Sequence, residues 1–546
     1  MFDGGTLRSH YAPLGLTHTT QLLKLTLTRF TVLFLLLNFI PCIAEGLIQA
    51  FLYQDDANAA TFVSEILQAG KVSTRYLPWL KKNDNGYQLD LCDHVPSSQT
   101  PGSTPVCVPV FANGNPDLAN ILLPAGFRRS DDVGPIAEEF LRGQGVNLTL
   151  TTNQSGTPQG VNMTYDSGNR SVFLDEQCTM VLLYPMQVFR NSRTESLALV
   201  GLQFWLLVMS IFALLTESIP HVIALLFMRV LSVSWSSYTI WRTLDIQRRL
   251  DHLVSDPNDS ACRFDLFHGY IPFRIALQVP DLVISCLALF ITGYLGWRLI
   301  RSFNEHTFKR VGPPPDVVRL YRYMLTVCVC LHMCLYLTVT SMGLWAEQLL
   351  HSAVAAISSH TRVYLALFVF IIVTLLPWIY MGIYAIKREK KLFMLTFVLL
   401  SATYVVSWSL MFDSEVYRWT WTQWPFFASC TISAFIGLIA SGVFGVVCWT
   451  KFGAGLAHYL YVEELLAKSD FEPDAFKVDT GQPSPRTPLA DVRKDAKRPL
   501  SMFTKDTNWD IADPEAERPP IYIVELSDPG RRGPPPFQPW RIEEEV

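Results

Sequence analysis

The sequence is poor in charge. Only 17% of its 546 residues are Asp, Glu, Lys or Arg, against about a quarter in an ordinary soluble domain. It has no excess of basic residues, with 44 Lys and Arg against 48 Asp and Glu, so nucleic acid is not an expected partner. P-loop, dinucleotide, G-x-S-x-G and H-E-x-x-H motifs are all missing. No histidine or carboxylate cluster has recognisable catalytic spacing. The chain is therefore not read as an enzyme, and no cofactor is expected. Eleven cysteines are too few for a disulfide-dense miniprotein.

What is present is apolar. Half the residues are hydrophobic and the mean hydropathy is +0.23. The length would allow about three or four soluble domains, but the composition points to a multi-span membrane protein. A transmembrane helix needs roughly 20 mostly apolar residues. Seven stretches qualify after residue 190: Leu197–Leu215, Ile219–Trp241, Ile275–Trp297, Tyr323–Trp345, Val363–Ala385, Leu392–Phe412 and Pro425–Trp449. An eighth, Thr31–Tyr53, is ambiguous. Its clean apolar run ends at Glu45, and Cys42 and Ala44 stand at −3 and −1 of a candidate signal-peptide cleavage site. We read it as an uncleaved anchor, with cleavage as the alternative.

Positive charge orients the spans. The segment Arg298–Arg322 and the KREKK loop Lys387–Lys391 are basic and should be cytosolic. The expected organisation is a cytosolic N-terminus (1–30), an anchor or first span (31–53), a lumenal or extracellular glycosylated domain (54–194), a seven-helix bundle (195–450) and a cytosolic, mostly disordered tail (451–546). The fold class is thus an all-α transmembrane bundle with a small α+β or β-rich external domain. Expected external helices are Ala57–Gln68 and Gly134–Leu141. Expected strands are Asn147–Thr152, Ser171–Leu174 and Met180–Leu183. Asp55, Asp56, Asp90, Asp93 and His94 read as scattered surface groups. The segment Arg242–Arg274, with an apolar helical face at Ile246, Leu250, Leu253 and Val254, either lies on the membrane surface or caps the external domain.

Two features agree with this topology. The N-x-[ST] sequons at Asn147, Asn153, Asn162, Asn169 and Asn258 all fall on the external side. So do Cys92, Cys107, Cys178 and Cys262, an even number for an oxidising compartment. We favour the pairings Cys92–Cys107 and Cys178–Cys262 among the three that four cysteines allow. The tail offers candidate phosphorylation sites at Ser484, Thr487 and Ser501, and an acidic dileucine-like stretch at Glu463–Leu466.

Ionisable residues at membrane depth are expensive and are candidates for function. Arg229 sits midway along its span, with Asp281 as a candidate partner. Glu217 and His221 lie at a tight hairpin between two spans, and His332 is flanked by Cys328, Cys330 and Cys334. Cys-x-Cys-x-His spreads its side chains around a helix, so no metal is expected there. The residues mark either a polar pathway or an interhelical clamp.

The pieces WSSYTIWRT, WRLIRSFNEHTFKRVG, YRWTWTQW and VVCWTKFGAGLAHYL followed by DFEPD carry a resemblance. Through them the stretch Thr194–Asp474 resembles an uncharacterised fungal, basidiomycete-type family of multi-pass membrane proteins. The resemblance implies a membrane bundle and brings no site residues with it. In topology alone the layout is similar to Wntless-like and GOLD-domain seven-helix proteins. The expected function is a receptor-like or cargo-sorting membrane protein at the plasma membrane or in Golgi or endosomes. Its expected partners are the lipid bilayer, a secreted or lumenal ligand and cytosolic sorting or signalling proteins. The alternative is a transporter or channel built around Arg229 and Asp281.

Overall fold

The computed structural model describes residues 29–83, 86–96, 107–113, 146–152, 158–165, 171–216, 218–257, 259–267, 269–309, 315–357, 361–453 and 455–468. Glu217, Asn153, Asn169, Asn258, Ser484, Thr487, Ser501 and the expected helix Gly134–Leu141 lie outside the described residues.

Among the described residues, eight helices are long and apolar enough to cross a membrane. The first, α1 (Arg29–Ala69), has 41 residues. At 1.5 Å per residue it is about 60 Å long, twice the roughly 30 Å of hydrocarbon. The sequence predicts an anchor, Thr31–Tyr53, and a separate helix from Ala57. The structure joins them, because no glycine or proline interrupts Gln54–Ala57 and the junction is buried on one side by Leu52 and Asp56.

Two three-stranded antiparallel sheets follow. One is built from β1 (Leu77–Asn83), β2 (Gly86–Cys92) and β3 (Cys107–Ala112), the other from β4 (Val146–Thr152), β5 (Pro158–Tyr165) and β6 (Ser171–Asp175). In the second sheet Leu148, Val161 and Met163 face inward. Asn147 and Thr149, paired across to Thr164 and Asn162, face the other way. Gly160 (φ +157°) sits where an added Cβ would strike the Leu174 carbonyl at 2.1 Å, so this crossing of β5 and β6 requires glycine.

The expected strand Met180–Leu183 is helical instead. Asp175 caps the short helix α2 (Glu176–Val181), its carboxylate accepting from the Cys178 amide at 2.7 Å. Disulfides close Cys92–Cys107 and Cys178–Cys262. The second bond ties α2 to Cys262, in the segment between residues 255 and 270.

The remaining spans are α3 (Leu183–Leu215), α4 (Ile219–Leu250), α5 (Tyr270–Lys309), α6 (Pro315–His351), α8 (Thr361–Lys387), α9 (Lys391–Met411) and α11 (Pro425–Trp449). Short helices α7 (Ala353–Ile357) and α10 (Glu415–Gln423) lie between them, and α12 (Leu456–Lys468) comes last. α1, α3, α4 and α5 pack as one group; α6, α8, α9 and α11 form another, with α4 against α6 joining the two. In the second group Phe397 of α9 lies between Gly382 of α8 and Gly445 of α11. A Cβ at either glycine would fall within 3 Å of its ring, which is how small residues let membrane helices approach.

The outer faces are lined by exposed Leu, Ile, Val and Phe, including Leu36, Ile40, Phe290, Val373 and Leu410. With no polar surface to satisfy, those faces belong in lipid. The first part of the Arg242–Arg274 segment takes the second of its two expected placements, as a cap on the sheets. It continues α4 through a π-helical turn (Asp251–Ser255) into the sheet region, where Leu250, Leu253 and Val254 join Val63, Leu89, Val161 and Phe189 in one core.

Candidate functional site

The group α1–α3–α4–α5 is held by polar residues repeating at seven-residue steps. α3 carries Ser196, Gln203 and Ser210, and α4 carries Arg229, Ser236 and Thr243, all buried. A seven-residue repeat keeps one face of a helix toward the same neighbour. On α1 the buried polar residues are Asn38, Glu45, Gln49 and Asp56; on α5 they are Arg274, Gln278, Asp281, Ser285 and Thr292. The two stripes run antiparallel in constant register. Steps of seven, four and seven along α1 from Asn38 match the same steps back along α5 from Thr292. Asn38 accepts from Thr292 at 2.9 Å, Glu45 faces Ser285, Gln49 faces Asp281, and Asp56 pairs with Arg274.

Arg229 is the most buried cation. Its Nη1 lies 2.9 Å from Glu45 Oε1, and neither side chain is exposed. Arg229 also donates to the Gln203 carbonyl oxygen at 3.4 Å and to Cys42 Sγ at 3.0 Å, while Gln203 Nε2 donates to Glu45 at 2.7 Å. The candidate pairing of Arg229 with Asp281 is not the ion pair formed. Glu45 takes that place because it stands on the α1 face turned into the bundle. Asp281 instead accepts from Ser236 Oγ at 2.9 Å.

Toward the sheets the buried charges continue. Asp56 pairs with Arg274 and accepts from Tyr270 Oη at 2.6 Å. Glu195 takes two bonds from Arg242, at 2.9 and 3.0 Å, and one from Trp424 Nε1 at 2.5 Å. Asp56 and Asp90 are thus not solvated surface groups. Asp90 is buried against Lys81 at 2.6 Å, because β2 turns it inward. Each such ion is costly to bury and persists only when fully paired.

His332 is not part of this ladder. Its ring lies 4.3 Å from that of His221, and its Nδ1 is 2.5 Å from the Cys328 carbonyl. Among the described residues no three of His, Cys, Asp and Glu are grouped so as to hold a metal ion. The sequence reading singled out Arg229 and Asp281 and missed Glu45, Gln49, Asp56, Glu195 and Arg274. For Glu45, Gln49, Asp56 and Arg274 the signal was the matching seven-four-seven spacing of polar residues on α1 and α5, visible only when the first segment is read as a helix to residue 69; Glu195 lies off the α3 repeat and had no such signal.

The sheet region is continuous with this frame. Trp79 of β1 packs edge-on against Trp419 of α10 at 5.8 Å, and Leu77, Cys92 and Val95 belong to the same core as the spans. No protein-family model, curated protein or solved structure matches the chain.

Proposed function

We propose that this integral membrane protein is a receptor-like or cargo-sorting protein of the secretory pathway, at the plasma membrane or in Golgi or endosomes. In this reading the sheet-bearing region is lumenal or extracellular and the C-terminus is cytosolic. The observation that carries it is the join between the sheets and the spans. α1, α3 and α4 run unbroken from the apolar layer into the sheet core, and Trp79 rests on Trp419 at the opposite group of helices. A ligand that moved the sheets would therefore move both helix groups. The two disulfides and the basic KREKK loop support the orientation.

A transporter working through Arg229 is less well supported. Arg229 is fully buried and bound to Glu45, Gln203 and Cys42, which suits a clamp between helices. Comparing the secreted and surface proteomes of cells with and without the protein tests the reading. A cargo-sorting or receptor role gives selective loss or retention of a few proteins. Unchanged proteomes, together with full activity of a protein lacking both the sheet region and the tail, contradict it.

A further inference from the structure

Among the described residues of α1, α3, α4 and α5, the buried Arg229 and Arg274 and the partly buried Arg242 face four buried carboxylates. Arg229 is matched by Glu45, Arg274 by Asp56 and Arg242 by Glu195. The fourth carboxylate is Asp281, which is 4% exposed and has no salt-bridging cation. We propose that Asp281 is the binding site for one monovalent cation, either a proton or a sodium ion, held among Asp281, Ser285, Ser236 and Gln49.

The atoms around Asp281 are arranged for such an occupant. Its Oδ2 is engaged by Ser236, but Oδ1 is buried with no hydrogen-bond partner. The Ser285 hydroxyl, one turn along the same face of α5, is fully buried, with Glu45 facing it from α1. Gln49 lies against the Asp281 carboxylate from α1. The charged groups facing it are Glu45 from α1 and Arg229 from α4. Those two are bound to each other, so neither supplies the missing charge. An isolated carboxylate in a low-dielectric interior is strongly disfavoured. A proton on Oδ1 removes the charge. A sodium ion matches the all-oxygen donor set. One unmatched negative charge calls for one positive charge, which favours a monovalent occupant over a divalent ion.

The inference stands apart from the receptor-like reading, and its test needs no knowledge of a ligand. The full-length protein in detergent is melted across a NaCl titration, with N-methylglucamine chloride holding ionic strength constant. The carboxylic-acid carbonyl region of its infrared spectrum is recorded on the same samples at neutral pH. Sodium occupancy gives an upward shift of Tm with Na⁺ that Asp281→Asn abolishes. Proton occupancy gives a protonated-acid band that Asp281→Asn removes, with no sodium dependence. Should Asp281→Asn fail to fold, Ser236→Ala assigns the signal by moving the band or weakening the sodium shift. The proposal is overturned if the wild-type protein shows neither signal, or if either signal is unchanged in the variant that folds.

Discussion

Glu45 and Arg229 lie 184 positions apart in the sequence and 2.9 Å apart in the fold, with both side chains fully buried. Removing one partner of such a pair leaves an uncompensated charge and costs about 3–5 kcal/mol. Glu45→Gln and Arg229→Met should each lower the unfolding stability of the detergent-solubilised protein by that order. The double variant should lose less than the sum of the two. Strict additivity in this double-mutant cycle would contradict a direct pair.

The Cys178–Cys262 bond spans 84 positions and Cys92–Cys107 spans 15. In the chain-entropy account these loops correspond to about 4–5 and about 3 kcal/mol. Cys178→Ser with Cys262→Ser should therefore lower Tm more than Cys92→Ser with Cys107→Ser. Non-reducing peptide mapping should recover both native linkages. An alternative pairing in the map would contradict the topology of α2.

Asn147 and Asn162 share the outward face of the second sheet. If that region is lumenal, as proposed, both sequons are open to glycosylation. Peptide-N-glycosidase treatment should then increase gel mobility, and Asn147→Gln and Asn162→Gln should reduce that increase. Labelling of these positions by a cytosol-restricted reagent in intact cells would reverse the orientation.

Trp79, which meets Trp419 of α10, also receives Lys81 Nζ on its ring, 3.8 Å from the centroid. Trp79→Ala should speed hydrogen exchange in Leu77–Asn83 and in Glu415–Gln423 together. Faster exchange confined to β1 would mean that the sheets and the second helix group are not coupled there.

The spans were legible because hydrophobic length is a strong local signal: seven of the eight apolar stretches lie within a helix of the structure, and Leu392–Phe412 runs one residue past the end of α9. The ends of those helices were not. α1, α3 and α4 run on beyond the apolar runs because tertiary packing in the sheet core, through Val63, Ile66, Leu183, Phe189 and Leu250, rewards helix where the sequence turns polar. The strands β1, β2, β3 and β5 were missed because residues such as Lys81, Lys82, Pro109 and Gly160 dilute their alternation. Arg229 stood out as a lone charge in an apolar run. Glu45 did not, because it sits where the first apolar run ends and so looked like a boundary. Only the facing stripe on α5 and the position of Gln203 identify it as a core residue.

The account depends on Glu45 being an internal member of α1. The retained helix contains no Lys or Arg between Phe30 and Lys71, so a single long tryptic peptide covers Asn38, Cys42, Glu45, Gln49 and Asp56. Mass spectrometry of the mature protein purified from its own membrane reads this directly. The account expects the intact peptide Phe30–Lys71. A mature chain beginning at Glu45, with nothing before it recovered, would remove Cys42 from Arg229 and Asn38 from Thr292, and would contradict the account.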